Sequence, residues 1–149
     1  TASLIGACCE IGAQLSGGCK NTQAALRRFG IEIGIAFQIT DDLLDLTGDQ
    51  QDVGKSTGRD LDMGKLTLPL IRALHHSDGP TRRSIKALVR DRCHAQLREW
   101  LREDGWFESA EQTVIDRVAS ARRHIGDLPD NQATTMLHLL ADAIIARTF

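Results

Sequence analysis

Apolar positions along this chain recur at the three- and four-residue spacing of helices almost from end to end. Leu4, Cys8, Ile11 and Leu15 share one face of a helix predicted over 2–16, and the Gly17-Gly18 pair is its natural stop. A longer helix is predicted over 21–47, where Ile31, Ile33, Ile35, Phe37, Ile39, Leu43, Leu44 and Leu46 cover most of the circumference. A shorter one follows over 67–75, with Pro69 in its first turn. Pro80 and Thr81 open another, whose stripe of Ile85, Leu88, Val89, Leu97, Trp100 and Leu101 runs on until Gly105 breaks the chain. Helices over 108–125 (Val114, Ile115, Val118, Ile125) and after Pro129 (Met136, Leu137, Leu140, Ile144, Ile145) complete the pattern. No repeat, low-complexity tract or convincing strand interrupts it, so the class is all-α, and 149 residues fit one domain.

One polar stripe breaks the apolar surface of the long helix. Gly34, Gln38, Asp41 and Asp45 follow the i, i+4, i+7, i+11 spacing, with Asp42 on the shoulder. A carboxylate buried alone would protonate, because an uncompensated charge in low dielectric is costly, so three together call for cations. Asp41 and Asp45, one turn apart, can present oxygens to the same small hard ion. Magnesium takes one or two protein carboxylates and leaves its other positions to water and phosphate. The competing reading makes the three aspartates a solvated helix face, as most acidic clusters are; the apolar density around them argues against it.

A Gly-punctuated segment follows, from Asp52 through Gly54, Lys55, Gly58, Arg59 and Gly64 to Lys65. Acidic residues holding a divalent cation, then a basic loop, make a site for a polyanion such as a diphosphate: metal neutralises one side and Lys or Arg the other. Gly54-Lys55-Ser56-Thr57 imitates the end of a P-loop, but five residues separate it from Gly48 where the nucleotide motif needs four. The element before it is an acidic helix instead of a buried strand.

The run Phe37-Gln38-Ile39-Thr40-Asp41-Asp42-Leu43-Leu44-Asp45, followed by Gly54-Lys55, Gly58, Asp60-Leu61 and Gly64-Lys65-Leu66-Thr67-Leu68-Pro69, resembles the second aspartate-rich region of the trans-type polyprenyl diphosphate synthases, especially medium- and long-chain members such as octaprenyl or heptaprenyl synthases. Thr1-Ala2-Ser3-Leu4 resembles the family's Lys-Thr-Ala segment without its lysine, and the stretch from Gly105 to Arg147 resembles its last helices. The resemblance implies a helical bundle of the isoprenoid synthase type, of which residues 1–149 would be the C-terminal half. It also implies that Asp41, Asp42 and Asp45 bind Mg2+, that Lys55 and Lys65 contact the diphosphate and share in catalysis with Asp41 and Asp42, and that Thr1 and Gln38 lie near the same group. Asp60 matches a loop acid of lower rank. The implied reaction is ionisation of an allylic diphosphate, attack by the double bond of isopentenyl diphosphate, and proton loss, in a homodimer.

The first aspartate-rich motif of that family is absent, since the chain holds a single DDxxD, so this piece alone is expected to be inactive. With Lys expected before Thr1, a tryptic-type cut or a deliberate truncation is the expected origin of its first residue. The alternative in a different class is a non-catalytic helical partner of a complete synthase. A terpene cyclase of similar fold is a weaker one, because the Gly-Lys loop resembles chain-elongating enzymes more closely. A formal charge of −2 predicts no general affinity for nucleic acid or anionic membrane, and no run reaches the ~18 apolar residues of a membrane span. Cys8, Cys9, Cys19 and Cys93 lack zinc spacing and read as reduced thiols of a cytoplasmic protein, with Cys8 and Cys9 as small core residues. The five histidines offer no catalytic pairing, and Trp100 and Trp106 read as packing residues.

Overall fold

The computed structural model describes residues 1–47 and 58–147. Among the described residues there are eight helices and no strand: α1 (Ala2–Leu15), α2 (Lys20–Thr47), α3 (Arg59–Asp62), α4 (Leu68–His76), α5 (Gly79–Arg90), α6 (His94–Glu103), α7 (Trp106–Ile125) and α8 (Gln132–Ala146). They divide into two compact units, one of Thr1–Thr40 with Thr113–Phe149 and one of Asp41–Gln112.

In the first unit the core joins α2, α7 and α8 through Phe29, Ile33, Ala36, Val118, Ile125 and Ile144, all essentially buried. Arg117 of α7 donates to Glu32 of α2 at 3.2 Å at the margin of that core. Helix α1 lies against α2 through its small residues. Its apolar stripe faces out, with Leu4, Ile11 and Leu15 exposed by 69, 53 and 84%, while Gly6 and Ala13 are buried. The face turned inward is the small one, so backbone meets backbone. A Cβ built on Gly30 would lie 2.9 Å from Gly6 Cα, and one on Gly34 would lie 2.5 Å from Ala2 Cα. Cys9 packs half-buried against the core, where burial, and then neighbouring Cys8, push its thiol pKa up. Cys8, expected in the core, is exposed. It sits on the outward stripe with Leu4 and Ile11.

In the second unit α4, α5 and α6 pack pairwise over Leu70, Ala73, Ile85, Leu97 and Leu101. The helix predicted from Pro80 to Gly105 is two. Helix α5 closes on a Schellman motif: Cys93 N–H donates to Leu88 O at 2.9 Å and Arg92 N–H to Val89 O at 3.3 Å, with Arg92 at φ 54°. The left-handed conformation costs an L-residue about 1–2 kcal/mol, which glycine avoids. Arg92→Gly is therefore expected to raise stability by about 1 kcal/mol, read as an increase in the urea midpoint at constant m-value. The exposed pair Arg92–Asp62 at 3.9 Å is too loose to reverse that sign.

Candidate functional site: the Asp42–Lys65–Asp60 bridge

The last turn of α2 brings its aspartates into the second unit, and each meets a different environment. Asp41 is exposed. Asp42 is buried, and its Oδ1 accepts from Lys65 Nζ at 2.8 Å. Lys65 donates a second hydrogen bond, also 2.8 Å, to Asp60 Oδ2. The bonds to Asp42, and then to Asp60, hold the Lys65 ammonium well above the usual lysine range. Because the folded pKa is raised, the pairing contributes fully at neutral pH and is lost only as pH climbs through the strongly alkaline region.

Lys65 is placed by backbone geometry. Helix α3 is one turn long and ends in a Schellman motif with Gly64 at φ 71°; Gly64 N–H donates to Leu61 O and Lys65 N–H to Asp60 O. The residue after that glycine must fold back over the turn, which carries Lys65 to the carboxylate of the residue whose carbonyl it already binds. Leu61, 5% exposed, anchors the turn.

The third aspartate, Asp45, is held by backbone amides. Its Oδ1 accepts from Arg59 N–H at 3.3 Å and its Oδ2 from Asp60 N–H at 2.9 Å, while its own carbonyl accepts from Gly58 N–H at 2.8 Å. Asp41, Asp42 and Asp45 thus do not form a three-carboxylate cage, and among the described residues no group of three or more His, Cys, Asp or Glu side chains converges as a metal cage. Asp45 is turned toward the amides of α3 and Asp42 toward Lys65, so both carboxylates are already engaged. The carboxylate chemistry still suits magnesium, which needs only one or two protein carboxylates.

In the first unit Thr1 Oγ1 donates to Gln38 Oε1 at 3.1 Å, so two of the sequence candidates meet there. The close approach of Ala2 to Gly34 one turn earlier on α2 brings Thr1 within reach. Lys55 lies outside the described residues. Asp60, ranked low from sequence, is the second anchor of Lys65; its signal was the Asp60-x4-Lys65 spacing across a glycine turn.

The Polyprenyl synthetase family model matches residues 1–103. The chain belongs to the polyprenyl synthetase family. It is 35% identical over 144 residues to heptaprenyl diphosphate synthase component 2 of Geobacillus stearothermophilus, covering 95% of this chain and 44% of that protein. Among structures of the family, it is similar to a decaprenyl diphosphate synthase from Rhodobacter capsulatus (TM-score 0.88, 33% identity, 100% of this chain and 47% of that one). It is also similar to a polyprenyl synthase from Caulobacter crescentus CB15 solved with calcium and isoprenyl diphosphate (TM-score 0.86, 30% identity, 100% and 46%). The chain spans about half the length of the curated relatives it matches. No helix of the described residues is long and apolar enough to cross a membrane.

Proposed function

We propose that this chain is the diphosphate-and-metal half of a trans-type polyprenyl diphosphate synthase, which condenses isopentenyl diphosphate with an allylic diphosphate. The observation that carries the reading is the Lys65 bridge: a cation held between Asp42 of the aspartate-rich run and Asp60 downstream of it, in a chain of the polyprenyl synthetase family. Asp41 and Asp42 are the proposed Mg2+ ligands. Bound magnesium would neutralise charge that develops on the departing diphosphate. Lys65, and Lys55 by motif, supply fixed positive charge to the same diphosphate, and Thr1 and Gln38 supply hydrogen-bonding groups. Chain elongation then consists of allylic C–O ionisation, attack by the isopentenyl double bond, and proton loss. We read the protein as cytoplasmic, its four cysteines carrying no disulfide, and as a homodimer in its complete form.

Titration calorimetry of the chain with inorganic pyrophosphate, with and without magnesium, tests this. Magnesium-dependent binding is expected, and Lys65→Ala is expected to weaken it about tenfold, the worth of one charge-assisted hydrogen bond. Absence of binding at millimolar magnesium would reject the assignment. It would favour the second reading, a helical partner without its own diphosphate site. The name "component 2" on the Geobacillus relative keeps that reading in play, since it implies a synthase made of more than one chain.

A further inference from the structure

We infer that Asp45 is a positioning residue: its carboxylate clasps the one-turn helix α3 and, through Asp60, sets the Lys65 ammonium against Asp42. The inference deepens the reading of Lys65 as a diphosphate-binding group and rests on it. The N-cap of helix α3 is Gly58, which has φ +82° and no side chain to cap the turn. Both Asp45 oxygens fill that role on the Arg59 and Asp60 amides, while the Gly58 amide donates to the Asp45 carbonyl. Asp60 is the shared element. Its amide is held by Asp45, its carbonyl takes the Lys65 amide, and its carboxylate takes the Lys65 ammonium. Without that carboxylate α3 would keep its own single turn of hydrogen bonds, the Gly58 amide on the Asp45 carbonyl and the buried Leu61 side chain, while the Arg59 and Asp60 amides lose their acceptors. A free Lys65 side chain would then lose its ordering at two carboxylates, and an incoming anion would have to restore it.

A clasp and a cation ligand place different demands on residue 45. Asparagine keeps one acceptor oxygen for the clasp and turns an NH2 donor toward the second amide, and its neutral amide is a poor ligand for a hard divalent cation. Amide hydrogen exchange at Arg59 and Asp60, magnesium affinity and pyrophosphate affinity are therefore measured on the full chain and on its Asp45→Asn and Asp45→Ala variants. Asp45→Ala is expected to speed exchange at both amides about tenfold or more, and to lower pyrophosphate affinity as far as Lys65→Ala does. The double variant should be no weaker than Lys65→Ala, because the two residues act through one group. Asp45→Asn, which keeps one of the two acceptors, is expected to hold the Asp60 amide and to fall between the parent and Asp45→Ala in exchange and pyrophosphate affinity, with magnesium affinity within about threefold of the parent. Unchanged exchange in Asp45→Ala, or a loss of magnesium affinity shared by both variants, overturns the clasp. If the parent chain binds no pyrophosphate, the reading of Lys65 fails while the exchange pattern still decides the role of Asp45.

Discussion

Asp42→Ala is expected to weaken magnesium-dependent pyrophosphate binding by about a hundredfold, close to 3 kcal/mol, the largest loss of any single change at this site. Two effects combine. The substitution removes a proposed cation ligand, and it leaves Lys65 with Asp60 as its remaining described carboxylate. Asp42 is buried where Asp41 is exposed, so its charge acts in a lower dielectric and is screened less. Asp42→Asn separates the contributions. The amide oxygen can still accept from Lys65, so the bridge geometry should survive, but the missing charge should leave the magnesium dependence as flat as in Asp42→Ala. The check is calorimetry across a magnesium series, with far-ultraviolet circular dichroism to establish that the helices persist. Buried Leu43 and Leu46 stay in place in both variants, so helicity should hold. Binding by Asp42→Ala within threefold of the parent would remove Asp42 from the site.

Most of the helical architecture was legible because helix periodicity, glycine stops and proline starts are local signals. Gly17 at φ 77° ends α1 where the sequence placed the stop, and Pro69 opens α4. The break between α5 and α6 was not legible. Asp91-Arg92-Cys93 contains no glycine, and the apolar spacing from Leu88 to Leu97 continues across it. The orientation of α1 was not legible for a related reason. Hydrophobic patterning assumes that the larger apolar face turns inward, whereas α1 buries its small face because glycines on α2 allow a close backbone approach. At the site, residue types and spacing located Asp42 and Lys65. The partners of Asp45 could not be read, because backbone amides 14 and 15 residues away carry no side-chain signature.

The close approach of α1 to α2 leads to an expected reversal of sign for one and the same substitution. Gly12→Ala on α1 should stabilise by up to about 1 kcal/mol, since alanine is the better helix former and a Cβ there meets nothing within 4 Å. Gly30→Ala makes the same propensity gain and loses it to collision. Its Cβ would sit 2.8 Å from Cys9 Sγ, 2.9 Å from Gly6 Cα and 2.9 Å from Ile5 O, and two of those three atoms are backbone that cannot rotate aside. Overpacking of this kind costs about 1–3 kcal/mol, so Gly30→Ala should be destabilising on balance. Gly30→Val, with two more carbons in the same gap and a stiff χ1, should cost about 3 kcal/mol or more. The effect should reach function as well as stability. Thr1 meets Gln38 only while the start of α1 rests on α2, so forcing the helices apart at Gly30 should also withdraw the Thr1 hydroxyl from Gln38. Urea midpoints of the three variants decide the matter: a Gly30→Val protein as stable as its parent would mean that α1 does not lie against α2 in solution.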